Sequence, residues 1–362
     1  MNIRIRITLN GENMKRALVT GGCGFIGSHL TKKLVSEGWQ VDVVDNMSNG
    51  NLDNLNTLKV RTLPSSDFIE PYYRSLSSQE GQANSTPQVH LDRAQDNVLV
   101  IMDDFASDGL LRHVSGGNYD TVFHQAAVPR VSYSVENPAE TTHENISKTV
   151  RLFEACIDSV KRIVWASSSS VYGGAEIMPT HESERGKILP KSPYAWQKFA
   201  IEDYAAMCSD LYNLDIVCLR YFNVFGPLQM GDSPYATSVA AWCHAIKEGL
   251  PLRSDGDGKQ TRDMCYIDNV VHANILAANA DFEGGFKGRC YNVATGTRVS
   301  NNEILNYFRA NFDASVRHAP ERPGDVKHTL ADLSRIEEEL GYKPLITFWE
   351  GLEQTIDWWE LE

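Results

Sequence analysis

The stretch Arg16-Ala17-Leu18-Val19-Thr20-Gly21-Gly22-Cys23-Gly24-Phe25-Ile26-Gly27 runs on through an amphipathic segment to Gly38, a second apolar run Val41-Asp42-Val43-Val44, and Asp45. It reads as strand, glycine turn, helix, strand, acid. Gly21, Gly24 and Gly27 stand at G-x-x-G-x-x-G spacing. The first permits a tight turn, the second lets a pyrophosphate approach the backbone, and the third lets helix and strand pack closely. The free N–H groups of the helix's first turn, where Phe25 and Ile26 sit, then face the pyrophosphate. A carboxylate at Asp45, roughly 20 residues on, suits a ribose 2′-hydroxyl and repels a 2′-phosphate, so the expected cofactor is NAD before NADP.

Composition sets the limits around this motif. A chain of 362 residues with 42% hydrophobic content can build a substantial core, as one large α/β unit or as two domains. No apolar run approaches a membrane span, and the N-terminus lacks the charged-then-apolar order of a signal peptide, so the expected location is the cytoplasm. The seven cysteines include no C-x-x-C pair. They read as buried or free thiols, with Cys23 a turn-packing residue, and no metal is expected. A net charge of -13 argues against a nucleic-acid surface and leaves any anionic ligand to local cations.

Outward from the motif, residues 1–13 include the alternating Ile3-Arg4-Ile5-Arg6-Ile7 and read as a dispensable extension or a small added strand. From about Lys59 to Asn97 the chain turns polar, rich in Ser, Gln, Asn and Pro, and reads as a long insertion. Val98-Leu99-Val100-Ile101-Met102 is a buried strand ending at Asp103-Asp104-Phe105, and a helix follows near residues 107–114. The strand Thr121-Val122-Phe123-His124 leads into Gln125-Ala126-Ala127, small residues that let the backbone approach a flat ligand. After an Asn137-Pro138 turn comes a long helix over about 140–159, then the strand Arg162-Ile163-Val164-Trp165-Ala166, ending in Ser167 to Ser170. Strands that do not alternate, separated by helices, imply a parallel sheet covered on both faces.

A second constellation lies downstream. Tyr194 and Lys198 head a helix running to about Tyr212, and four positions apart they share one face. A tyrosine titrates near ~10, so to act as a base at neutral pH its phenolate needs roughly 4 kcal/mol of stabilisation. A neighbouring ammonium and a positive nicotinamide ring supply charge of the right sign. Alone, this spacing is common on solvated helix surfaces; here it follows a dinucleotide motif and a serine cluster at a strand end.

These motifs, with Arg220-Tyr221-Phe222-Asn223, Gln260-Thr261-Arg262-Asp263 and Arg322-Pro323-Gly324-Asp325, resemble the extended short-chain dehydrogenase/reductase family, and within it the nucleotide-sugar C4-epimerases. The resemblance covers residues 16 to about 360 apart from the insertion. It implies a doubly wound Rossmann fold over residues 14–220 and a smaller α/β region over 221–362 that holds a UDP-sugar, with the chain crossing between the two. Asp45, Asn46 and Ser48 would meet the adenosine ribose, and Asp104 with Phe105 the adenine. Gln125, Ala126, Ala127, Asn145 and Phe222 would line the rest of the cofactor. Ser168 matches the catalytic serine beside Tyr194 and Lys198, and Ser167 and Ser170 read as turn packing.

For the substrate, the resemblance assigns Val128, Arg130, Ser169, Asn223, Tyr235, Arg262, Arg322, Asp325 and Thr329. Epimerases restricted to plain hexoses carry a bulky tyrosine where Thr329 stands, so the smaller side chain leaves volume for an N-acetyl group, which Ser169 can hydrogen-bond. The expected reaction is UDP-GlcNAc/UDP-GalNAc interconversion, with UDP-Glc/UDP-Gal weaker. Val128-Pro129-Arg130 departs from that branch, and Arg130 suits the carboxylate of a UDP-glucuronate 4-epimerase. Decarboxylases and dehydratases share the Tyr-Lys pair but add an acid beside the catalytic Ser/Thr, absent here; a non-catalytic NAD-binding protein is disfavoured by the intact pair. The family's usual dimer surfaces are the helices near 140–159 and 194–212, with Phe153 and Tyr204 read on their outward faces.

Overall fold

The motif folds as a strand–turn–helix–strand unit, β1 (Arg16–Thr20), α1 (Phe25–Ser36) and β2 (Gln40–Val44), in a computed structural model that describes residues 14–64, 98–232, 236–321 and 326–361. β3 (Val60–Pro64), β4 (Val98–Met102), β5 (Thr121–His124), β6 (Arg162–Ser168) and β7 (Ile216–Tyr221) follow. With a last strand at Arg289–Val293 the eight-stranded sheet runs Arg289–Val293, β7, β6, β5, β1, β2, β4, β3. Thr20 pairs in parallel register with Val44 on one side and His124 on the other, so three strand ends emerge at one edge. The order reverses about β1, the switch point at which open α/β sheets take their ligands. The fold is the doubly wound α/β class read from the sequence.

Two details correct that reading. Val60–Pro64, read as the start of the insertion, is the edge strand of the sheet and pairs in parallel with β4. An edge strand buries few side chains, and here only Leu63 is buried, so its polarity resembled a loop. Pro64 ends it, a position an edge strand tolerates. Residues 65–97 and 1–13 lie outside the described residues. The run expected as one helix over 140–159 is a helix at Pro138–Thr142, a wider π-type turn at His143–Ser147 and a helix at Lys148–Cys156. Phe153, read as outward-facing, is fully buried.

By its internal packing the chain forms two compact units. One comprises the described residues up to Ala126 with Lys148–Val164 and Tyr212–Asp215; the other comprises Ala127–Ser147, Trp165–Leu211 and the described residues from Ile216. In the second, aromatic side chains dominate the core: Trp242, Tyr291, Tyr342, Phe225, Phe286 and Phe308 are all essentially buried. Two of its helices, Asn301–Asn311 and Phe348–Trp359, start with reciprocal capping boxes, Ser300 with Glu303 and Thr347 with Glu350. Each satisfies two end-of-helix donors that would otherwise lack partners.

Candidate active site

The first unit carries the glycine turn. Gly21 adopts φ +67 and donates its N–H to Val44 O at 2.8 Å. That left-handed conformation favours glycine. A Cβ at Gly27 would collide with the Gly21 carbonyl oxygen, so only glycine lets α1 start this close to the turn. α1 begins at Phe25 with Gly24 as its cap and no side chain capping it, which leaves its first N–H groups available to an anion.

Asp45 closes this turn from the end of β2. Its carboxylate accepts the Cys23 N–H at 3.0 Å and the Met47 N–H at 2.9 Å and is nearly buried. Burial raises its pKa, and the two backbone hydrogen bonds oppose the rise. Burial, then the charge of Asp45, pushes the Cys23 thiol up to about 12, so Cys23 is an inert packing residue as read. Asn46 and Ser48 form a local turn in which Asn46 Oδ1 accepts the Ser48 N–H at 3.1 Å. Asp104 accepts Lys148 Nζ at 2.6 Å, and the Phe105 ring lies 4.8 Å from that of His124.

His124 belongs to a network the sequence did not disclose. Thr20 Oγ1 accepts the Ala126 N–H at 3.1 Å and lies 2.7 Å from His124 Nδ1, while His124 Nε2 lies 3.0 Å from Thr149 Oγ1. This pins the strand end from which Gln125 and Ala126 continue, both half-buried.

The second unit carries the acid–base set. Tyr194, Lys198 and Glu202 are buried on the helix Pro193–Tyr212, on one face at four-residue spacing. Tyr194 is hydrogen-bonded to Ser168; burial pushes its phenol up to about 12, and that bond works against the rise. Lys198 Nζ donates to Ala166 O at 2.6 Å and sits 4.7 Å from the Trp165 ring and 5.9 Å from that of Tyr194. Burial pulls its pKa down to about 7, opposed by Cys218 and Glu202. Ser168 Oγ accepts the Ser170 N–H at 3.2 Å.

Ser167, read as simple turn packing, donates to Glu202 Oε1 at 2.6 Å. Glu202 takes a two-pronged bond from Arg220 at 2.8 Å and 2.8 Å. This buried pair fastens the serine-bearing strand end to the helix that carries Tyr194.

The remaining candidates fall as follows. Asn145 is turned inward and its amide engages the main chain of Val128. Phe222 is buried against Tyr172, 6.3 Å between ring centroids. Asn223, Arg130, Ser169, Ala127 and Val128 are half-buried. Arg262 donates to the carbonyls of Thr261 and Lys327, both at 3.0 Å, and Thr329 Oγ1 accepts the Asp263 N–H at 3.1 Å, so Arg262 and Thr329 occupy adjoining segments. Asp263 accepts from Thr295, Gly296 and Ala331, and burial pushes its carboxyl up to about 6 against those bonds. Tyr235, Arg322 and Asp325 lie outside the described residues.

A model of the NAD dependent epimerase/dehydratase family matches residues 17–294. The chain belongs to that family. It is 32% identical to a UDP-glucose 4-epimerase of Mycolicibacterium smegmatis over 94% of this chain and 97% of that one. It is 29% identical to a UDP-glucuronate 4-epimerase of Thermodesulfobacterium geofontis, over 94% of this chain and 95% of that one. Among solved structures it is similar to a UDP-N-acetylglucosamine 4-epimerase from Methanobrevibacter ruminantium in complex with UDP-N-acetylmuramic acid. The identity is 34%, the TM-score 0.79, and the cover 96% of this chain and 99% of that one. This member of the epimerase/dehydratase family is an isomerase that uses NAD, and its glycine turn, uncapped helix start and Asp45 carboxylate fit that cofactor.

Proposed function

We propose that the chain interconverts UDP-GlcNAc and UDP-GalNAc at C4, with UDP-Glc/UDP-Gal as a weaker activity. The hydrogen-bonded Ser168–Tyr194 pair, with Lys198 on the same helix face, carries the reaction. Residues 14–220 mainly hold NAD and residues 221–362 mainly hold the nucleotide sugar. Bound NAD supplies the acceptor, and later the donor, of the C4 hydride. Tyr194 takes the proton from the 4-hydroxyl as the C4–H bond breaks, and Ser168 holds the same oxygen. The resulting 4-keto sugar turns in the pocket, receives hydride on its other face, and regains its proton from Tyr194. No net oxidation occurs. Lys198 holds positive charge beside the phenol, and Arg262 with Arg322 supplies planar donors for the diphosphate.

The sugar preference rests on Thr329, whose short side chain leaves room for an N-acetyl group, with Ser169 as a partner. The solved UDP-N-acetylglucosamine 4-epimerase supports it. Arg130 favours a second reading, UDP-glucuronate, in line with the glucuronate relative. A panel of UDP-sugars with product analysis separates them: turnover of UDP-GlcNAc to UDP-GalNAc is expected, and turnover of UDP-glucuronate with UDP-GlcNAc untouched overturns the assignment.

The same proposal includes a cytoplasmic homodimer. All seven cysteines are free, as suits a reducing compartment, and no helix among the described residues is long and apolar enough to cross a membrane. On the Pro193–Tyr212 helix, Trp196, Met207 and Leu211 are 51%, 40% and 65% exposed and fall along one stripe. Such a stripe wants a partner. Sedimentation should give a dimer for the wild type and a monomer for Leu211→Glu; a monomeric wild type removes this part.

A further inference from the structure

Within the second unit, a buried side-chain amide on the Tyr194 helix is tied to the loop that carries Val128 and Arg130. Gln197 is fully buried, three positions after Tyr194. Its Nε2 donates to Thr141 Oγ1 at 3.0 Å and Thr142 Oγ1 at 3.1 Å, and its Oε1 accepts Asn145 Nδ2 at 2.8 Å. Asn145, itself buried, then holds Val128 from both sides: Oδ1 accepts the Val128 N–H at 2.8 Å and Nδ2 donates to Val128 O at 3.1 Å.

The chemistry allows one orientation for this chain of amides. Thr141 gives its hydroxyl proton to Asn137 O at 3.0 Å and Thr142 gives its own to Pro138 O at 2.7 Å. Both hydroxyls can therefore only accept from Gln197, which must turn its NH₂ toward them. Its oxygen then faces Asn145, whose NH₂ must point back, which leaves the Asn145 oxygen for the Val128 N–H. Every N–H of the two amides is used. The π-type turn at His143–Ser147 carries Asn145 to this place.

We propose that Gln197 is a positioning residue for sugar binding: through Asn145 it locks the 127–130 loop to the helix that carries Tyr194. It touches neither substrate nor cofactor. This rests on the reading of Val128 and Arg130 as sugar contacts. Without the Gln197 oxygen, one Asn145 N–H is left unpaired in a buried place, and its hold on Val128 loosens.

The test uses the NAD-loaded full chain, with UDP-GlcNAc affinity measured by calorimetry and KM and kcat by product analysis. Gln197→Met, of similar length but without donors or acceptors, should weaken affinity and raise KM about tenfold, kcat staying within about threefold and NAD content unchanged. Gln197→Glu should be no better, because a carboxylate offers no N–H to two hydroxyls already committed as donors. If Gln197→Met does not fold, Thr142→Val, at the rim of the network, should raise KM in the same direction by a smaller factor. Combined with Asn145→Ala, Gln197→Met should add little. Unchanged affinity in the folded variants, full affinity in Gln197→Glu, or a kcat loss at constant KM overturns the inference. A wild type that binds but does not turn over the sugar refutes the proposed reaction instead, and calorimetry still reads the inference.

Discussion

Replacing Tyr194 by phenylalanine should lower kcat roughly 10²- to 10⁴-fold, the range for a removed proton-transfer group. The fold and the bound NAD should remain. Phenylalanine keeps the ring that the buried site packs around and removes only the oxygen that is hydrogen-bonded to Ser168. The loss of one hydrogen bond costs about 1 kcal/mol of stability, whereas the kinetic loss corresponds to about 3 to 5 kcal/mol of barrier. Measured side by side, melting should barely move while turnover collapses. NAD released on denaturation should match the wild type, since the glycine turn and Asp45 are untouched. A variant within tenfold of the wild-type rate would remove Tyr194 from the proton path.

What the sequence disclosed follows from how local each feature is. The turn at Gly21 to Gly27 is legible because its demands lie within a few residues: a positive φ at Gly21 and no room for a Cβ at Gly27. The same holds for Tyr194 and Lys198, which one helix places on one face. Ser167 and Glu202 are separated by 35 positions, and Asn145 and Gln197 by 52, so no spacing in the chain announces either contact. Gln197 in particular reads as an ordinary polar helix residue until the fold buries it. The edge strand Val60–Pro64 was lost for the opposite reason: its pattern is local, but one buried position in five is too faint a signal. Phe153 was misplaced because a helix interrupted by a π-type turn shifts the phase of its buried face.

Lys198 should show the opposite pairing of stability and activity. Its ammonium is buried, and burial pulls its pKa from 10.5 down to about 7. A lysine whose folded pKa is depressed opposes folding wherever the unfolded chain binds the proton. The opposition is absent above about 10.5, grows as pH falls, and is complete below about 7. At its full extent it is on the order of 5 kcal/mol. Lys198→Met keeps an apolar stem of similar length and removes that opposition, while leaving the Ala166 carbonyl without its donor, which costs about 1–3 kcal/mol. At pH 7 the variant, with NAD in excess, should therefore melt at or above the wild-type temperature. Its turnover should nevertheless fall by roughly two orders of magnitude, because the cation beside the phenol is gone. The sign of the pH effect follows from the same charge. A cation favours the phenolate, so removing it raises the Tyr194 pKa and moves the ascending limb of kcat/KM to higher pH. Melting curves and pH profiles of the two proteins test both halves. A destabilised variant with an unmoved limb would show that Lys198 serves as a structural donor to Ala166 and does not tune Tyr194.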